Sequence, residues 1–236
     1  MTFMNLRILA PTLFLLAVQP SQIHCQNVSL DENAFRIYLD GELIGREEFS
    51  IRQIGPLDQQ RIILRGSVDL DLSEGKIELA PAMDVQGEAM AVSDYQIKVS
   101  GTETTDIFVS VSGNRYLARV VSLAGEQLRE FRTGPGSVLL DDGVVHHHYL
   151  LNPFLENDSA VSLTVLTPRA GRQQRMTLSL VGEEEIRVGG VLISDARRFH
   201  LDGGDHPRDI WFDSQGRILR VEIPSQGYLA ERESLT

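Results

Sequence analysis

Three consecutive histidines, His146, His147 and His148, form the densest group of metal-ligating side chains in the sequence. A metal centre needs three or more donors converging on one ion. Successive residues on a helix point about 100° apart, so the three rings cannot meet there; on a strand His146 and His148 share a face but lack a third ligand. Asp141 or Asp142 would have to supply it, and no spacing supports either. The triplet therefore reads as structural or surface histidines. As a ligand-binding set it offers His146, His148 and the adjoining Tyr149.

A second constellation, Gly203-Gly204-Asp205-His206-Pro207-Arg208-Asp209, puts an acid, a base and a cation in one short loop. Paired glycines let such a loop approach a ligand closely, and loops on rigid sheets often carry function. Asp205, His206 and Arg208 are thus candidate ligand-binding residues, against the simpler reading of a solvated hairpin connection. Trp211, the only tryptophan, completes the set, although a packing anchor is the plainer role for it. Nothing identifies a catalytic residue. There is no nucleophile elbow, Walker loop, dinucleotide fingerprint or His-Glu-x-x-His helix. No cofactor is implied, and the balance tips away from an enzyme.

Composition narrows the partners. With 22 Lys+Arg against 33 Asp+Glu, the 236-residue chain carries a net charge of −11. A general nucleic-acid binder needs clustered cations to neutralise phosphates, and a polybasic membrane module needs them too. Both are disfavoured. One cysteine rules out an internal disulfide framework.

The first 25 residues have the order of a secretory signal. Arg7 precedes the apolar run Ile8 to Val18, and Gln19 onward is polar. That run is too short to span a bilayer, and no later stretch approaches transmembrane length. The expected organisation is a signal peptide over 1–25 and a single β-rich domain over 26–236, exported to the periplasm or beyond. The residues before Cys25 are His24 and Ile23, where lipid attachment wants small side chains, so anchoring there is not expected.

Period-two alternation dominates the rest. Ile62, Leu64, Val68, Leu70 and Leu72 fall on one face of Arg61 to Leu72, with Arg61, Arg65, Ser67, Asp69 and Asp71 on the other. The pattern recurs in short bursts separated by Gly, Asn, Asp and Pro, which predicts a serial antiparallel meander of roughly ten to thirteen strands. So many strands must curl. In the first hairpin, a three-residue connection Asp40-Gly41-Glu42 keeps Phe35, Ile37, Leu39, Leu43, Phe49 and Ile51 on one face and is preferred over a two-residue turn. Gly216 is expected to take the left-handed position in the turn after Phe212, and Glu183-Glu184-Glu185 to form a solvated hairpin tip. One segment breaks the pattern: Asp141-Asp142-Gly143 followed by an apolar stretch predicts a short helix over 142–152, capped by those carboxylates and lying across the mouth or concave face of the sheet.

The hairpin WFDSQGRILRVEI (211–223) followed by QGYLAERE (226–233) resembles the closing strands of a group of uncharacterised bacterial envelope proteins, and IYLDGELIGREEFSI (37–51) is similar to their first hairpin. The resemblance implies an exported protein of unknown function, with a curled antiparallel sheet related to the half-barrels of lipoprotein carriers, which shelter acyl chains. It supplies no catalytic residue, and this chain lacks the cysteine pair of some related periplasmic barrels.

The combined expectation is an all-β open barrel or half-barrel with one short helix. Its function would be non-enzymatic binding of a lipid-like or hydrophobic ligand on the concave face. Two alternatives stand beside it: a scaffold with a solid core that meets an envelope protein partner, and an envelope hydrolase.

Overall fold

The computed structural model describes residues 26–55, 61–102, 104–157 and 159–235. The expected export segment, Cys25 included, lies outside them. Eight strands run in chain order as an antiparallel meander: β1 (Gln26–Leu39), β2 (Glu42–Gly55), β3 (Arg61–Leu72), β4 (Gly75–Gln86), β5 (Ala91–Gly101), β6 (Thr105–Ser112), β7 (Arg115–Ser122) and β8 (Gly125–Arg132). Seven more complete the sheet: β9 (Ser137–Leu139), β10 (Val161–Thr167), β11 (Arg172–Val188), β12 (Val191–Asp202), β13 (Arg208–Phe212), β14 (Ile218–Ile223) and β15 (Tyr228–Arg232). All fifteen belong to one sheet, ordered β8 to β1 and then β15 to β9. The first and last strands pair at its middle, and only β9 with β10 is parallel.

The order carries a geometric consequence. The two edge strands β8 and β9 are joined by residues 133–136 alone, and five Cα steps from Arg132 to Ser137 reach at most ~19 Å. In a flat sheet of this width the edges would stand roughly 65 Å apart, at about 4.8 Å per strand. The sheet must therefore roll up until its edges are neighbours. It does so as an open, spiral barrel: β9 lies against β5, three strands in from the β8 edge, and Gln173 of β11 exchanges hydrogen bonds with the Arg132 backbone of β8.

Alternation settles what faces inward. Leu64, Val68 and Leu70 of β3 are buried while Arg65, Ser67 and Asp69 point out. Phe35, Ile37, Phe49 and Ile51 join the same core. The first hairpin reaches this register by a route other than the expected three-residue loop. Asp40 and Gly41 both take positive φ, +49° and +82°, so a two-residue turn pairs Leu39 with Glu42. Leu43 then points outward and is 58% exposed. The ladder jumps from Tyr38–Leu43 to Ile37–Gly45, leaving Ile44 as a bulge that returns the odd-numbered residues of β2 to the inside. A second correction concerns Glu183–Glu185. They lie within β11 rather than at a tip, and the actual turn is Gly189-Gly190. Gly216 has the expected left-handed conformation, with φ +75°.

The concave face is filled by the chain itself. Buried Val138 to Asp141 and Val144 to Val145 lead into a helix at His146–Phe154, of 3-10 rather than α type and starting later than expected. His146 to His148, Leu150 and Leu151 are buried in it, and its apolar side chains belong to the single large core. Gly66 makes room for it. That residue pairs with inward-facing Phe49, and a Cβ there would sit 2.6 Å from the Cε1 of His146. Gly66→Ala should therefore destabilise the fold by about 1–3 kcal/mol in urea denaturation. Gly134→Ala, where a Cβ meets nothing, should change it by less than about 0.5 kcal/mol.

Candidate functional site

Strand parity also carries charged side chains inside. Glu47 shares the inner face of β2 with Phe49 and Ile51 and is fully buried. Its carboxylate accepts the backbone N–H groups of Val145 (2.6 Å) and His146 (2.8 Å) and the Nδ1–H of His146 (2.7 Å). The first N–H groups of a helix have no partner within it, and a carboxylate from across the barrel satisfies them here. Capping by Asp141 or Asp142 is not what forms. Val145 occupies the N-cap and makes no side-chain cap.

Asp141 instead anchors the entry to the helix. One of its oxygens accepts from Tyr95 Oη at 2.6 Å, and the other from the backbone N–H groups of Asp142 and Arg169. Burial raises its pKa from the ordinary carboxylate range to about 6, against the pull of those bonds. His147 accepts the Asp141 N–H at Nδ1, and its ring meets those of Tyr95 and His146 edge to face. Burial and the neighbouring histidines hold His147 well below its ordinary pKa. His148 donates Nδ1–H to the carbonyl of Val145 (2.8 Å), which leaves Nε2 as a lone-pair acceptor, buried and unpartnered. Burial, with the nearby Arg208 cation, lowers its pKa to about 3.

Arg208, a candidate from the sequence, is buried rather than part of an exposed loop. It begins β13 on the inner face, opposite Leu201 of β12, and is 8% exposed. Its Nε donates to the His206 carbonyl at 3.3 Å. Among the described residues no carboxylate reaches it within ion-pair distance, and burial lowers its pKa against the pull of Asp142 and Tyr228. Its charge nonetheless persists. Arg208, His148, Tyr228, Asp141 and Val145 border one narrow cleft between the helix and the ends of β13–β15. Desolvation raises the Tyr228 pKa, so its phenol stays protonated. Two sequence candidates from separate segments thus meet in one place.

The other candidates do not join them. Asp205 is exposed and ion-paired with Arg172. His206 contacts Gln226, and Tyr149 is half-buried among core residues. Trp211 sits on the outer face in a separate cluster with Ile186, Val188, Ala196 and Leu219. Its ring lies between the guanidiniums of Arg198 (5.2 Å) and Arg220 (5.6 Å), and its Nε1–H donates to Glu184. It is a packing anchor. Among the described residues no three His, Cys, Asp or Glu are arranged to hold a metal. Glu47 and Tyr228 escaped sequence reasoning, although Glu47 shares the odd parity of Phe49 and Ile51, which places it inside.

No known family's sequence profile matches the chain, and no curated protein matches it in sequence. A solved structure does resemble it: a beta-barrel-like protein of Domain of Unknown Function DUF1849 from Brucella abortus, 10% identical, with a TM-score of 0.51 over 85% of this chain and 94% of that one. At this identity the likeness establishes the fold alone.

Two predictions follow from the interior polar groups. Glu47→Ala orphans three donors at once and should cost about 3–5 kcal/mol in chemical denaturation, more than removal of any single outer-face ion pair. Stability should also fall on acidification. His148 binds a proton in the unfolded chain below about pH 6.5 but not in the fold until about pH 3, so folding loses about 2 kcal/mol from it by pH 5. His147 acts in the same direction. Asp141 acts oppositely, being protonated in the fold from about pH 6 downward and in the unfolded chain only near 4, and returns about 1 kcal/mol by pH 5. Asp141→Asn should therefore steepen the acid loss in a Tm-versus-pH series. An unchanged slope would contradict this assignment.

Proposed function

We propose that this is an exported, non-enzymatic protein of the cell envelope that serves as a solid-cored scaffold for a partner. The observation that carries the reading is the filled concave face. The space where a lipid-like ligand would lie is taken by residues 138–155 of the chain itself, packed in the main core. Of two hollows of about 540 and 270 Å³, the first is lined mainly by polar side chains, among them Arg46, Glu48 and Arg65, and in the second Arg65, Asp84 and Gln96 share the lining with Ala82, Phe108 and Val109. Neither suits an acyl chain. The outer face of β6–β8 exposes Phe108, Leu117 and Leu128, the kind of apolar surface that supports association with another protein. The hydrolase alternative gains nothing, because Asp205 is ion-paired with Arg172 and His206 contacts Gln226, so the two do not form an acid–base pair.

Export rests on the charged, apolar, polar order of residues 1–25. No helix among the described residues is long and apolar enough to cross a membrane. The test is native mass spectrometry of the tagged protein drawn intact from its own envelope. The expected result is a stoichiometric protein complex without lipid. Recovery of a lone chain carrying a lipid adduct would overturn the scaffold reading and restore hydrophobic-ligand binding, with the 3-10 segment as a displaceable plug.

A further inference from the structure

We infer that the open edge of β8 is the docking site for an extended segment of a partner protein, which adds antiparallel to the sheet and carries a basic side chain on either side of an apolar one. This rests on the scaffold reading and names how the partner is held. Hydrogen-bond parity decides which backbone groups of β8 are available. The two-residue turn Leu123-Ala124 makes Ser122 and Gly125 a hydrogen-bonded pair. The pairs then alternate, so Gln127, Arg129 and Phe131 bond to β7, while Glu126, Leu128, Glu130 and Arg132 turn their N–H and C=O groups outward. Two contacts agree with this phase. The Thr133 N–H continues the ladder by donating to the Asn114 carbonyl at 2.9 Å. The Arg132 N–H donates outward to Oε1 of Gln173 at 3.2 Å, and the Gln173 side-chain N–H donates back to the Arg132 carbonyl. That amide occupies the edge as the backbone of an added strand would.

The rest of the edge has no such cover. Among the described residues, β8 pairs with β7 alone, and nothing meets the outward backbone groups of Glu126, Leu128 and Glu130. The other edge of the sheet is unlike it, since β9 has three residues and its Val138 and Leu139 are buried. β8 has eight residues, no bulge and no proline, which makes it a template for another strand. Charge selects the strand. Glu126, Leu128 and Glu130 stand in a row on the outer face, with Leu128 76% exposed. The two carboxylates are ion-paired with Arg119 (3.9 Å) and Arg115 of β7, exposed pairs of small worth that leave room for a second cation. A second copy of β8 fits poorly. With Leu128 opposite Leu128, Glu126 meets Glu130 twice; shifted by two residues, Arg129 meets Arg129. Two chains of net charge −11 also repel. A strand with Lys or Arg opposite each glutamate and an apolar residue opposite Leu128 satisfies all three positions.

The test uses three end-blocked heptapeptides, read by NMR amide hydrogen exchange of the protein. The first is Thr-Lys-Thr-Val-Thr-Lys-Thr. The second has glutamate for both lysines. The third is the lysine peptide N-methylated at both lysines and at valine, which keeps the charge but removes the donors that would face β8. The lysine peptide should slow exchange of the Glu126, Leu128 and Glu130 amides by about tenfold or more, and leave Gln127 and Arg129, already bonded to β7, unchanged. The other two peptides should do neither. Leu128→Pro removes one outward donor where an edge strand tolerates proline, and should weaken binding by about tenfold. Glu126→Lys combined with Glu130→Lys should transfer binding to the glutamate peptide. Persisting protection of Gln127 and Arg129 reports that each variant is folded. If the lysine peptide leaves wild-type exchange unchanged at millimolar concentration, or the N-methylated peptide acts equally well, the inference fails. An envelope complex in which the Glu126, Leu128 and Glu130 amides exchange as freely as in the isolated chain would also overturn it, while leaving the scaffold reading in place.

Discussion

The four residues between β8 and β9 are the constraint on which the rest depends. A meander that begins at the centre of a sheet, runs to one edge and then appears at the other can close so short a connection only if the sheet is rolled. Right-handed strand twist favours the roll, and the short link enforces it. Rolling fifteen strands makes an interior wider than the inward side chains can fill from the walls alone, since about eight strands already bring opposite walls into contact. The chain fills the remainder with its own segment 138–155. The 3-10 helix is thus a consequence of closure, not an appendage laid over its mouth.

A backbone segment inside a barrel brings polar groups with it, and each must be met there. Sheet strands satisfy one another, but a helix has unpaired N–H groups at its start, and none of its neighbours in sequence caps this one. Glu47, from a strand nearly a hundred residues earlier, does so. Its burial is tolerable because three donors converge on one carboxylate. The same logic explains Asp141, which ties β5 to the helix entry through Tyr95 and to the β10–β11 connection through Arg169. The histidines complete this buried lattice. They pair with backbone and carboxylate, and desolvation holds His147 and His148 neutral.

Much of the architecture was legible in the sequence. The limits of β3 coincide with the alternating run Arg61 to Leu72, and the curl follows from strand number. The failures have physical causes. The first hairpin defeated register reasoning because a bulge at Ile44 absorbs the residue that the two-residue turn leaves over, and a bulge leaves no mark on composition. Glu183–Glu185 were expected at a hairpin tip, yet β11 is long enough to carry them within the strand, where Glu183 and Glu185 are solvated and Glu184 meets Trp211. Glu47 and Arg208 could have been placed inside by parity with Phe49 and with Ile210. Glu47 was passed over, and Arg208 was read as part of a loop, because charged residues are usually exposed, a rule that holds only while the interior has no backbone of its own to satisfy.

That last point bears on where function can reside in such a fold. Alternation and strand pairing dictate the walls, and many sequences can meet that requirement. The polar groups of the interior are not dictated by the walls. An arginine at the inward position of β13 contributes nothing to closure, and the apolar side chains of Leu201 and Ile223 on either side show what the position would accept on packing grounds alone. Glu47 and Asp141 are each accounted for by the segment they hold. Arg208 holds nothing but a carbonyl two residues away. Its terminal nitrogens turn instead to the narrow cleft that it shares with His148, where solvent can hydrate a charge that burial opposes.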